Sequence, residues 1–335
     1  MFVLLVVLLV ILSPGVVQAA DLVIYAALDE KTPREIIKAF KERFGLDAEL
    51  ALQIEQAGTV ASRIKTEAKN PRADVFIGGN SNIHASLAAE GFLDPYRSTM
   101  IKDAGIDPKF MDPKGYWTGW YLGAMCIHYN TKRFNEEIAP KGLKPPSTWD
   151  DLLHSIYKGE VITSNPATTG SAVIIMATQI FRLGSVDAGF KYIADLHKNV
   201  RQYTRGANGS IDFVSRGEAI VGTAWGHDTI ARKMRENLPI TIVFPKDDGY
   251  EIGGASMIRG CKNPAAAKKF IDFLLTPTPA EINARIGLRY PVRKGVALPP
   301  GVPPFESLSF VNYDNATVEA NVEAWKKRWS EITGQ

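Results

Sequence analysis

The sequence predicts an α/β protein of two lobes, each a mostly parallel sheet flanked by helices, with strands crossing from one lobe to the other. Three observations carry this reading. Apolar strand-like runs alternate with amphipathic helical segments through short connections, the pattern of βαβ units. The 335 residues suffice for one large or two medium domains. No Pro- or Gly-rich linker separates two independent halves, which favours lobes joined by crossing strands over domains strung on a tether. The composition, 45% hydrophobic and 22% charged, supports a full buried core. Acids and bases are interspersed around a net charge of +3, with no basic tail or stripe, so nucleic acid is not an expected partner.

Phe2 to Leu12 is an unbroken apolar run, ended by Ser13-Pro14-Gly15 and followed by the small residues of Val17-Gln18-Ala19-Ala20. The run is too short to cross a bilayer comfortably and reads as a secretory signal, residues 1–19, cut near Ala19 or Ala20. Its first residues carry no Lys or Arg, and no Cys near the cut indicates a lipid anchor. The expected location after export is the periplasm. No later segment is apolar enough to span a membrane.

Leu22 to Ala26 reads as the first strand. The helix after it shows Thr32 and Glu35 at capping-box spacing, Pro33 at the first helical position, an apolar face of Ile36, Ile37, Phe40 and Phe44, and a stop at Gly45. Ala48 to Ile54 is the next strand, Gly58-Thr59 opens a second helix, and Ala73 to Ile77 is a buried strand running into Gly78-Gly79-Asn80-Ser81. Tyr116 to Tyr129 is long, aromatic and strand-like. Beyond it, a helix is expected at Trp149 to Tyr157 and a strand at Glu160 to Thr163. Asn165 to Ser171 opens an apolar helix at Ala172 to Leu183, and further helices follow at Val186 to Leu196 and Ser210 to Arg216. Ala219 to Trp225 and Ile240 to Phe244 are strands, and Glu251 to Ile258 resembles a strand returning to the first unit. Asn263-Pro264 is expected to cap a helix at Ala265 to Leu275. A last helix, about Thr317 to Ile332, places Val318, Val322, Trp325 and Trp329 on one face. Export permits a disulfide between Cys126 and Cys261, and spacing leaves both the disulfide and two free thiols open.

Four stretches carry a resemblance to a known family: Val23 to Glu30 running into Lys41 to Gly45; Pro71 to Gly79; Ile127-His128-Tyr129-Asn130; and Gly260 to Leu275. Together they resemble the type 2 periplasmic-binding-protein family, in the ferric-ion-binding and hexose-phosphate-binding branch of the family 1 solute-binding proteins of ABC importers. The resemblance implies a ligand cleft between hinged lobes. It places lobe one at 21–122 plus 250–300, lobe two at 123–249, and a helical segment, 301–335, packed back on the body. The implied partners are a small anionic solute and a permease–ATPase complex, with the chain itself a monomer, and no cofactor or metal is expected.

In open α/β sheets, ligands bind beyond the carboxyl ends of strands, where helix N-termini present free N–H groups that suit anions. Four loops meet this requirement. The first contains Ala27 and Asp29, the second Gly58 and Thr59, the third Gly79 and Asn80, and the fourth Thr168, Thr169, Gly170 and Ser171. Ordinary helix capping explains any one of them as well as a ligand does. Their recurrence after strands in both lobes points to a ligand. By the same resemblance, iron-binding members carry adjacent tyrosines in the region that here reads Trp225-Gly226-His227-Asp228, so a hard Fe(III) ion would lack its anionic oxygens. His227, Asp228 and the later Glu251 instead resemble the residues by which hexose-phosphate-binding members hold sugar hydroxyls while helix N-termini hold the phosphate. Trp225 and Trp120 are candidates to cover the apolar face of the sugar.

Gly-x-Ser-x-Gly, Walker A and His-Glu-x-x-His patterns are absent, and no nucleophile flanks His227-Asp228. The expected function is therefore capture of a small anionic solute, a sugar phosphate foremost, without catalysis. Fe(III) with a carried anion, thiamine or its phosphates, and a phosphonate are alternatives within the class. An exported phosphatase and a sensor receptor are alternatives outside it.

Overall fold

A computed structural model describes residues 20–54, 56–298 and 301–335; the expected signal segment, 1–19, lies outside the described residues. β1 (Leu22–Ala27), α1 (Lys31–Phe44), β2 (Ala48–Gln53), α2 (Ala57–Thr66), β3 (Val75–Asn80) and α3 (Ser81–Ala89) follow in order. β1 pairs in parallel with β2 on one side and β3 on the other, as successive right-handed βαβ units do. After β4 (Leu93–Asp94) and α4 (Ile101–Ala104) comes β5 (Thr118–Asn130), buried along its whole length. α5 (Thr131–Arg133), β6 (Val161–Ser164), α6 (Gly170–Arg182), α7 (Val186–His197), β7 (Val200–Thr204), α8 (Gly209–Ser215), β8 (Val221–Trp225), α9 (Gly226–Glu236) and β9 (Ile240–Val243) build the second unit. β10 (Tyr250–Ile258) returns to the first, followed by α10 (Pro264–Leu274), α11 (Pro277–Ile282), β11 (Tyr290–Pro291) and α12 (Asn315–Thr333).

β5 joins the two halves. Residues 118–124 pair antiparallel with β10, and residues 125–129 pair antiparallel with β8. The hydrophobic core changes hands at the same point: Ala124 belongs to the core around Phe40, Phe270 and Phe273, and Met125 to the core around Trp149, Phe190 and Trp325. β10 enters beside it, with the Met125 amide donating to the Gly249 carbonyl. Parallel pairing holds β2–β1–β3 and β7–β6–β8, and the crossing strands add antiparallel neighbours, so the combined sheet is mixed. α12 buries Val318, Trp325 and Trp329 against the second core, while Asn315 at its start lies 3.4 Å from the Ser81 hydroxyl in the first half.

Three local expectations are corrected. α1 is capped by Asp29, whose Oδ1 accepts from the Lys31 and Thr32 amides at 3.1 and 2.8 Å. Thr32 lies inside the helix, fully buried, so its side chain faces the core instead of closing a capping box. Trp149 to Tyr157 forms two short 3₁₀ turns, broken at His154, whose backbone is extended and whose Nδ1 accepts from the Ile156 amide. Asn263 does not cap α10. Its side chain donates to Asp74 at 3.1 Å. Of the two readings left open for the cysteines, the structure has two free thiols, Cys126 buried in β5 and Cys261 beyond the end of β10.

Asp74, 2% exposed, also accepts from the Val23 amide at 2.8 Å and the Asn263 amide at 2.9 Å. It thereby ties β1, the start of β3 and the start of α10 together. Asp74→Ala leaves these donors without their acceptor and is expected to cost about 2–4 kcal/mol, because unpaired buried donors forfeit their hydration without compensation. Urea unfolding of the variant measures this, and an unchanged midpoint contradicts it.

Candidate functional site

A cavity of about 1350 Å³ lies between the two halves. Every residue singled out above as a candidate lines it except Trp120: Ala27, Asp29, Gly58, Thr59, Gly79, Asn80, Thr168, Thr169, Gly170, Ser171, Trp225, His227, Asp228 and Glu251. The topology explains the convergence. The carboxyl ends of β1 and β3 and the start of α2 face, across the gap, the start of α6 and the β8–α9 turn. The halves touch here, because a methyl group on Gly170 would overlap the Asn80 amide nitrogen. Trp120 is the correction. It is 1% exposed and its indole N–H donates to the Gly254 carbonyl at 3.1 Å, so it is core. Alternation along a strand sends neighbours to opposite faces, and it is Tyr121 that reaches the cavity.

One end of the cavity is rich in helix starts. α2 has no side-chain cap, α3 is capped by the Asn80 side-chain oxygen Oδ1, and α6 by the Thr169 hydroxyl. The Thr168 and Thr169 hydroxyls donate to the Asn165 carbonyl, and the Ser171 hydroxyl pairs with that of Ser164 at 3.1 Å. These hydroxyls therefore build the loop. The three helix starts converge on the cavity, and together their dipoles favour an anion.

The other end is ionisable. Glu251 pairs with Gly123 across the β10–β5 ladder, and His227 opens α9 on the far side of the same glycine. A methyl group at residue 123 would lie 2.8 Å from the His227 ring and 3.0 Å from Glu251 Oε1, so glycine is what allows both side chains to sit there. Asp228 Oδ2 accepts from the Asn208 side-chain amide at 2.7 Å, and its other oxygen lies 3.8 Å from Arg289. Arg289 also donates to Asp29 at 2.7 Å and its guanidinium lies 5.2 Å from the Tyr121 ring centroid. The Trp225 and His227 rings are stacked, with centroids 5.8 Å apart.

Burial sets the protonation states. It pushes Glu251 up to about 8, against the pull of Arg289 and with the help of Asp228. It pushes His227 down to about 4, so the imidazole is neutral, with a buried Nδ1 that has no partner among the described residues. For Asp29, burial works upward, but the Arg289 charge and the Thr32 amide outweigh it and hold the carboxyl below its usual range. Burial opposes the charge on Arg289, and Asp228, Tyr121 and Asp29 overcome it, so the guanidinium stays charged. This end therefore offers acceptors at Asp29 and Asp228, a protonated donor at Glu251 and a two-way imidazole, the set that reads several hydroxyls at once. Among the described residues, no group of three or more His, Cys, Asp or Glu side chains is arranged to hold a metal ion.

Arg289, Tyr121 and Asn208 were not among the sequence candidates. Asn208 stands in Gly206-Ala207-Asn208-Gly209, a small-residue loop before a helix like the four recognised, so its signal was present. Arg289 follows Ile286-Gly287-Leu288 in no motif, and only the folded chain brings it to Asp29 and Asp228.

Comparisons with known proteins place the chain in a family. An uncharacterised protein of Haemophilus influenzae is 31% identical over 301 residues, covering 88% of this chain and 84% of its own. A putative 2-aminoethylphosphonate-binding periplasmic protein of Salmonella typhimurium is 26% identical, covering 82% of this chain and 76% of its own. The structure of the periplasmic binding protein AfuA from Actinobacillus pleuropneumoniae, with exogenous fructose-6-phosphate bound, superposes with a TM-score of 0.82 at 29% identity, covering 93% of this chain and 98% of that one. The model of the bacterial extracellular solute-binding proteins matches residues 70–317. With its two lobes and the cleft between them, this chain belongs to the bacterial extracellular solute-binding protein family, the periplasmic solute-binding components of ABC importers.

Proposed function

We propose that the cleft captures a phosphorylated sugar in the periplasm and delivers it, without chemical change, to a permease–ATPase complex in the inner membrane. The observation that carries this reading is the division of one cavity into two chemistries. Helix starts from both halves line that cavity, suited to a phosphate group, and so do Asp228, Glu251 and His227, suited to hydroxyls. A similar protein of known structure holds fructose-6-phosphate. Trp225, beside His227, offers an aromatic surface to an apolar sugar face. Closure follows because a ligand touching both halves binds best when they are together.

A second reading has one specific support. The acidic end also suits an ammonium group, which with a phosphonate at the helix starts describes an aminoalkylphosphonate, and a relative is described as binding such a compound. A thermal-shift screen with glucose 6-phosphate, fructose 6-phosphate, 2-aminoethylphosphonate, inorganic phosphate and ferric citrate separates these ligands. Incubation with glucose 6-phosphate should release no inorganic phosphate, and release would show a phosphatase.

Asp228→Ala and Glu251→Ala are each expected to weaken hexose-phosphate binding by about tenfold or more, the loss of a charge-assisted or buried hydrogen bond. Calorimetry showing full affinity in both variants refutes the assignment. The empty protein has its own pH signature. Glu251 keeps a proton to about pH 8 in the native state, whereas an unperturbed glutamate releases it near 4.5. Its contribution to stability is complete below the lower value and is lost as the pH rises through the upper one. Asp248, buried and likewise raised, acts in the same direction. The buried histidines His84, His128 and His227, each pushed down to about 4 from 6.5, act oppositely below pH 6.5, so melting temperatures should fall between about pH 6.5 and pH 8, and Glu251→Gln should flatten part of that fall. An equal slope in the variant would show that Glu251 is not the group responsible.

A further inference from the structure

Arg289 is held unlike any other cation of the cleft. Its side chain is 5% exposed, and it precedes β11, which lies against β5 through the Tyr290–Leu122 and Pro291–Tyr121 pairs. From this position it donates to Asp29, the residue that caps α1 in the first half, and faces Asp228, in the first turn of α9 in the second half. Its surroundings are shaped to hold it there. A methyl group on Gly287 would overlap Arg289 Nη1, and would lie 2.8 Å from Asn283 Oδ1 and 3.2 Å from Thr32 Oγ1. Asn283 and Thr32 are fully buried, and neither their polar side-chain atoms nor Arg289 Nε have a hydrogen-bond partner among the described residues. The close fit of Gly287, Asn283 and Thr32 around the guanidinium fixes where it can sit.

We infer that Arg289 is a positioning residue that bridges Asp29 of one half to Asp228 of the other, aims Asp228 at the ligand, and holds the two halves together across the cleft before a ligand arrives. Asp228 is divided between two tasks. Oδ2 takes the Asn208 amide and lies 3.5 Å from His227 Nε2, and Oδ1 faces Arg289. A ligand hydroxyl on either oxygen is therefore gripped by a carboxylate already fastened across the gap. This account rests on the sugar-phosphate reading for its ligand, but the bridge itself exists without one.

The test uses three variants of the full mature protein. Arg289→Met removes the charge at similar length. Arg289→Lys keeps the charge and loses the fork. Gly287→Ala keeps every charge and displaces the guanidinium, and so tests placement even if Arg289→Met fails to fold. Calorimetry with glucose 6-phosphate and fructose 6-phosphate is paired with small-angle scattering of the empty and saturated protein. Arg289→Met and Gly287→Ala should each bind about tenfold more weakly or worse and remain more expanded than the parent, both empty and saturated. Arg289→Lys should recover part of both properties. Undiminished affinity in Arg289→Met and Gly287→Ala, or weakened affinity with scattering identical to the parent, overturns the inference. If the parent binds neither sugar phosphate, the ligand reading fails, and the scattering of the empty proteins decides: expansion in the variants supports the bridge and identical curves overturn it.

Discussion

β5 belongs to both halves of the molecule, and that constraint places everything else. Its first seven residues are hydrogen-bonded into one sheet and its later ones into the other, so the halves cannot separate as independent domains. They can only rotate about the strands that cross. The same strand carries Gly123, over which Glu251 and His227 meet, and Tyr121, which reaches the cavity beside Arg289. The site is therefore assembled at the pivot, where a small rotation changes distances between halves without breaking either sheet.

The electrostatics follow from that position. At the pivot the side chains are buried on the protein side and open only towards the cavity, so each ionisable group is held by its neighbours or neutralised. Glu251 is neutralised by its proton, His227 by losing one, and Arg289 is held by Asp29 and by the charge of Asp228. Removing ions from water is costly, and a buried pair is often no more stabilising than an apolar one of equal size. The arrangement is better explained by binding than by stability. It leaves a donor, two acceptors and an imidazole facing a cavity also lined by three helix starts with no acidic residue in their first turns.

Much of this was legible in the amino-acid order. The alternation of strands and helices, the small-residue loops at 57–59, 78–81 and 167–171, and the His227-Asp228 turn all lead to the observed cleft. The misses have physical causes. Trp120 and Trp225 look alike as aromatic residues in strands, and both are buried, but only Trp225 keeps an edge on the cavity. Thr32 and Glu35 have the spacing of a capping box, but Asp29, free of the helix and nearer its first amides, takes the role, while Thr32 turns inward. Asn263 has the capping residue type, yet its side-chain NH2 and backbone amide both donate to the buried Asp74, and its side chain caps nothing.

By itself, the sequence determined the α/β class, the order of its elements, the apolar faces of α1, α6 and α12, and the loops available to a ligand. These are set by periodicity and turn chemistry within a few residues, and they persist whatever the rest of the chain does. Only the tertiary structure decided which side chains share the cavity. Asp29 and Arg289 are 260 residues apart and meet because β1 and β11 are both laid against the sheet that β5 crosses. No local pattern marks such a pair, since its energy depends on burial and distance, and both exist only once the sheet has brought distant parts of the chain together.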